Sequence, residues 1–232
     1  ATDDLAELPP HIAPVDYVFI TVKLWDTEAA IEKIRPLVGP DTTVVSFQNG
    51  ISRDDTLKSA LGKEHIIGGI SYVGATIEGP GAIVQKGAVQ KLVFGEYGGL
   101  GKTARIEALA QACQRADIEV EIPDDIERAL WTKFIVLVAM SSLTASTRQC
   151  IGPVRENPKT RALLVDVLTE VAAVATASGV QLPTDIVQDR LAYLDNLAPD
   201  VTASMEYDLR TGNRLELPWL AGTVVQLGEK LS

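Results

Sequence analysis

The chain has 232 residues, 46% hydrophobic and 22% charged, which excludes global disorder and suits one large or two smaller globular domains. Its formal net charge of −10, with no Lys/Arg-rich segment, excludes a general nucleic-acid binder but not a small anionic ligand held by one or two local cations. Cys113 and Cys150 lie outside any metal or redox spacing and the only histidines are His11 and His65, so no metal site is expected and a reducing cytoplasm fits best.

The chain opens on a polar, Pro-rich lead-in, ATDDLAELPPHIAP, with no basic segment preceding an apolar stretch, so no export is expected. Asp16 to Lys23 (DYVFITVK) and Thr42 to Gly50 (TTVVSFQNG) then read as strands. Their nearly continuous β-branched runs are expected of strands buried on both faces of a parallel sheet. Between them, Ala29, Ile31, Ile34 and Leu37 fall at helical spacing before a Gly39-Pro40 stop, giving strand, crossover helix, strand. Lys23 and Asn49 therefore share the carboxyl edge of the sheet, where open sheets hold their ligands; the plainer reading is a solvated lysine and a turn-forming Asn-Gly.

From His65 to Tyr97, short β-rich runs separated by Gly-Pro-Gly and Lys-Gly predict antiparallel hairpins. A helix over Thr103 to Ala116 and a strand over Ile118 to Ile122 follow. Beyond Pro123 the pattern is almost wholly helical, with helices at about 125–149, 158–178 and 184–194, one beginning near Ala203, and one from Trp219 to Leu231. The first of these is apolar around much of its circumference and should be buried. Two domains result, 1–123 and 124–232, the first lacking the opening strands of a complete sheet. The apolar runs read as too short or interrupted to span a bilayer, so no membrane partner is expected.

Gly101-Lys102-Thr103 ends like a phosphate loop, but Glu96 stands where that loop's first glycine is required, so a glycine-rich turn into a helix capped near Thr103 is the better reading. Lys133, in ALWTKF, is the sharper signal. Its apolar neighbours predict a partly desolvated ammonium, suited to giving a proton to a carbonyl oxygen; the alternative is a lysine snorkelling into water. Ser204 and Glu216, in TASMEYDLRTGNRLELPWLAG, could bind a carboxylate and face an interior cation, or be a helix cap and a surface acid. Both cysteines read as buried, inert thiols.

Taken together, VFITVK, SFQNG, GPGAIVQKG with FGE, ALWTK and ASMEYDLRTGNRLEL resemble the ketopantoate reductases (2-dehydropantoate 2-reductases) over essentially the whole chain. That resemblance implies an α/β fold, a partial Rossmann-like doubly wound sheet followed by an all-helical C-terminal domain. It also implies NADPH-dependent reduction of 2-dehydropantoate to (R)-pantoate in pantothenate biosynthesis, a small 2-oxo acid as the partner molecule, and a homodimer as the assembly to test. By the same resemblance Lys133 is the general acid, Asn49 holds substrate and nicotinamide, and Lys23 lies on the cofactor side. Ser204 binds substrate, as does Ser141, and Glu216 orients Lys133 or binds a substrate hydroxyl. Two features depart from the family pattern. Leu137 and Ser141 stand where asparagines are usual, which opens the reading of a different 2-oxo acid, and no G-x-G-x-x-G occurs, which opens that of a non-catalytic binding or assembly fragment.

Overall fold

The structure is a computed structural model that describes residues 12–231; most of the Pro-rich lead-in, His11 included, lies outside the described residues. The chain divides into two compact units, residues 1–49 with 53–127, and residues 50–52 with 128–232.

The first unit is built on a five-stranded sheet in the order β1 (Tyr17–Ile20), β2 (Thr43–Ser46), β3 (Ile66–Gly79), β4 (Ala82–Gly95), β5 (Glu119–Glu121). β1, β2 and β3 are parallel, β3 and β4 antiparallel, and β4 and β5 parallel. Successive β-branched residues point to opposite faces. Val44 and Ile66 pack with Ile31 of α1 (Thr27–Ile34) and Leu57 of α2 (Arg53–Leu61), whereas Val45 and Ile67 pack with Ile106 and Leu109 of α3 (Ala104–Arg115). Helices thus cover both faces, as in a doubly wound sheet. β2 is buried throughout, as its apolar run predicts; β1 is not, because Phe19 is 46% exposed and rests edge-on against Phe47 at 5.4 Å.

Gly69 is needed where β2 and β3 meet, since a Cβ there would lie 2.5 Å from Val45 Cγ2 and 2.6 Å from the Ser46 carbonyl. The β-rich segment forms one long hairpin rather than several. Gly-Pro-Gly makes its turn, while Lys-Gly falls at a register shift between Val73 and Gly74. α2 was not anticipated: RDDTLKSAL has too few apolar residues to show a helical stripe, yet Arg53 and Asp54 are buried.

Glu96, the residue that breaks the phosphate-loop pattern, is buried against Arg105. Nε and Nη2 of Arg105 donate to its two oxygens at 2.7 and 2.6 Å. Thr103 occupies the N-cap position of α3 but makes no side-chain cap bond there; its hydroxyl donates to Glu96 at 2.6 Å instead. Burial alone would raise the Glu96 carboxyl, but the Arg105 and Thr103 bonds outweigh it and hold it below the usual range. A depressed acid stabilises the fold above its unfolded pKa, and that contribution is lost as pH falls through the folded value. Glu96→Gln should therefore cost about 1–3 kcal/mol near neutrality, and the gap from wild type should close on acidification; urea midpoints across the acidic range test this.

The second unit is helical: α4 (Ile126–Thr147, its first two residues in the first unit), α5 (Ile151–Glu156), α6 (Pro158–Ala177), α7 (Ile186–Asp195), α8 (Ser204–Thr211) and α9 (Ala221–Leu231). Phe134, Ile135, Val138 and Leu143 of α4 pack with Leu164, Leu168 and Val171 of α6 at the centre of its core. Each such side chain contributes roughly 1.5–3 kcal/mol. α6 starts where Asn157 accepts from the Lys159 and Thr160 amides ahead of Pro158 at its first turn. Contrary to the sequence reading, α4 is long and apolar enough by length and composition to cross a membrane. Even so, 56% of its most apolar stretch is buried by the protein itself. Cys113 is buried, which pushes its thiol up and makes it inert, but Cys150 is only partly so.

Candidate active site

At the carboxyl edge of β1, Lys23 is exposed at the N-cap of a single 3-10 turn, Leu24–Asp26, with its ammonium 5.6 Å from the Trp25 ring. Asn49 is half-buried beyond β2, in a turn that Gly50 closes at φ 85°. Gln48, a residue not singled out from the sequence, joins the two turns. Its Nε2 donates to the Val22 carbonyl and to Thr27 Oγ1, both at 2.9 Å, and its Oε1 accepts from Ser46 Oγ at 3.0 Å. An amide next to Asn-Gly at a buried strand end was the one available signal.

In the second unit Lys133, Leu137 and Ser141 sit four apart and so share a face of α4. Lys133 is half-buried beside Trp131 and Phe134, whose rings meet edge-on at 5.6 Å. Leu137 packs against the helical core. Ser141 is 1% exposed, and its hydroxyl has no hydrogen-bond partner. Other hydroxyls of the same helix behave differently: Thr132, Thr144 and Thr147 each donate to the carbonyl four residues back at 2.6–2.7 Å. A buried orphan hydroxyl costs about 1–3 kcal/mol, which a polar ligand group could relieve.

Ser204 is the exposed first residue of α8, and Ala203, not Ser204, stands at the N-cap. Glu216 is 5% exposed, so it is no surface acid. The turn between them is firmly built. Gly212 ends α8 in the left-handed region at φ 75°, and Asn213 follows, its backbone and side-chain amides donating to the Asp208 carbonyl at 2.8 Å and Oδ1 at 3.2 Å. This accounts for the Asp-Leu-Arg-x-Gly stretch as a structural lock ahead of Glu216. A cleft of about 200 Å³ lined by Arg148, Glu206, Leu209 and Arg210 includes none of the expected site residues.

Within each unit, therefore, the structure joins the turns bearing Lys23 and Asn49, and sets Lys133 and Ser141 on one face. Among the described residues no group of three or more His, Cys, Asp or Glu is placed to hold a metal ion.

Comparison with known proteins agrees with the sequence resemblance. Residues 2–99 match the family described as ketopantoate reductase PanE/ApbA, and residues 125–232 match its C-terminal part. A 2-dehydropantoate 2-reductase of Archaeoglobus fulgidus is 30% identical over 226 residues, covering 93% of this chain and 70% of that one. The crystal structure of 2-dehydropantoate 2-reductase from Geobacter metallireducens GS-15 superposes with a TM-score of 0.86 at 29% identity, covering 96% of this chain and 73% of that one. A D-mandelate dehydrogenase solved with NADH and anilino(oxo)acetate shares the fold, with a TM-score of 0.83 at 22% identity over 93% of this chain and 70% of that one. Fold, motifs and relatives converge: this chain belongs to the ketopantoate reductase family of oxidoreductases.

Proposed function

We propose that the protein is an NADPH-dependent reductase of a small 2-oxo acid, with 2-dehydropantoate reduced to (R)-pantoate as the leading substrate. The observation that carries this reading is the α4 face on which half-buried Lys133 and the unpartnered, buried Ser141 hydroxyl stand together. The boundary we propose lies at 123/124, with cofactor binding before it and substrate binding and catalysis after it. The cytoplasm is the proposed compartment, since free thiols suit reducing conditions.

The carboxyl edge of the parallel strands fits a nicotinamide cofactor: an exposed cation at Lys23 and a carboxamide at Asn49 complement its anionic and amide groups. When bound, the cofactor supplies the hydride. Reduction develops negative charge on the substrate's carbonyl oxygen, and Lys133 meets it with a positioned ammonium that gives up its proton. Asn49 aligns the reacting groups, while Ser204 and Ser141 offer hydroxyls to the substrate's polar ends. Glu216 holds the Lys133 ammonium or a substrate hydroxyl. A buried carboxylate is tolerated only with such a partner.

Glu216→Ala should raise KM for the oxo acid about tenfold or more while leaving KM for NADPH within about twofold. An effect confined to the cofactor would count against its placement. Leu137 supports a second reading, a reductase for a different 2-oxo acid, because a leucine cannot hydrogen-bond a substrate hydroxyl.

A further inference from the structure

We propose that Gln48 is a positioning residue for the cofactor: its carboxamide holds the Lys23 turn and the Asn49 turn in fixed relation, and so sets cofactor affinity without touching the cofactor. The proposal rests on the reductase reading above and concerns how that site is held.

Gln48 is 6% exposed, and its side chain crosses from the end of β2 to the start of the first crossover. Both amide hydrogens are used, one on the Val22 carbonyl, adjacent to Lys23, and one on Thr27 Oγ1 at the start of α1. Thr27 Oγ1 donates onward to the Leu24 carbonyl at 2.8 Å, on the other side of Lys23. The two residues flanking Lys23 are thus both tied to one side chain. At the other end Ser46 Oγ donates to Gln48 Oε1 and accepts from the Gln48 backbone N–H at 3.2 Å, which fixes the residue immediately before Asn49.

The amide orientation follows from its partners, because turning it over would set its oxygen against the Val22 carbonyl. A glutamate of the same shape would bring that clash permanently, and the shorter asparagine falls a methylene short. Lys23 itself is exposed, with its ammonium near the Trp25 ring of the same turn. The β1–β2 pairing runs up to the Phe47 N–H, which donates to the Ile20 carbonyl at 3.0 Å ahead of both turns. A connection of this kind narrows the spread of two ligand-binding groups, which a cofactor senses as affinity.

The test uses the full-length protein and two readouts, NADPH dissociation constant by fluorescence titration and thermal unfolding midpoint, beside steady-state kinetics. Gln48→Met should weaken NADPH binding about tenfold and Gln48→Glu more than that, and because Asn49 aligns the reacting groups kcat at saturating cofactor should fall too, by a smaller factor than the affinity. Thr27→Val, which breaks the same link from the opposite side, should weaken binding in the same direction and add less than its full effect to Gln48→Met. Unchanged NADPH affinity in all three single variants, whatever their midpoints, would overturn the proposal and leave Gln48 a structural residue. Failure of the wild-type protein to bind either NADPH or NADH would instead overturn the reductase reading, and this proposal with it.

Discussion

Lys133→Ala is expected to lower turnover by roughly two to four orders of magnitude, the range for removing a group that delivers a proton in the transition state. The expectation rests on where α4 holds the residue. Lys133 is half-buried on α4, a helix whose other faces pack into the core of its unit. Because the interaction strengthens as charge develops on the carbonyl oxygen, kcat and kcat/KM should fall together. Lys133→Arg separates the two contributions of the lysine. A guanidinium keeps the charge but does not release its proton, so this variant should remain well below wild type. Near-normal turnover in Lys133→Ala would remove the residue from the chemistry.

Arg53→Met is expected to destabilise the first unit by about 3–5 kcal/mol, the cost of breaking a buried ion pair from one side. The Arg53 and Asp54 side chains are each 2% exposed, with Nε 3.6 Å from Oδ1. Nη2 of Arg53 donates to the Ser46 carbonyl at 3.2 Å and to the Gly69 carbonyl, joining the end of β2 to the first half of β3, while Tyr97 Oη donates to Asp54 Oδ2 at 2.5 Å. Burial pushes the Asp54 carboxyl up from its ordinary 3.8, against the pull of Arg53 and the Tyr97 bond. An acid whose folded pKa is raised binds more protons when folded, so its contribution to stability declines as pH rises from 3.8 through the folded value. Asp54→Asn should flatten that decline, and Arg53→Met/Asp54→Asn should recover part of the loss, since replacing both members of a buried pair is far cheaper than stranding one. Urea unfolding measures both. A change within about 0.5 kcal/mol for Arg53→Met would mean the pair is not a structural element.

These two sites differ in how visible they were beforehand. Strands, crossover and helical half were legible because each carries its period openly: Val44 and Val45 announce two buried faces, and Phe134 to Leu143 a buried helix. Lys133 stood out as a cation in an apolar run. Arg53 and Asp54 did not, because a charged dipeptide in a polar stretch has the signature of a surface loop, and the Ser46 and Gly69 carbonyls and Tyr97 that receive it when buried are remote in sequence. Gln48 was hidden for a related reason. Its partners, Val22 and Thr27, are remote in sequence, and nothing local distinguishes an amide that bridges two turns from one that faces water. The hairpin was read as several because Lys86-Gly87 resembles a turn, and a register shift in one long ribbon uses the same residue types. Ser204 was read in part as a cap, a position that belongs to Ala203.

The most direct test of the central claim is NADPH oxidation at about 340 nm by the full-length protein with 2-dehydropantoate, beside a panel of other 2-oxo acids, NADH in place of NADPH, and Lys133→Ala. The account predicts oxidation of NADPH with 2-dehydropantoate preferred, and its loss in the variant. Preference for another 2-oxo acid would move the substrate toward the one Leu137 selects, and no oxidation of either cofactor with any acid would contradict the reductase reading.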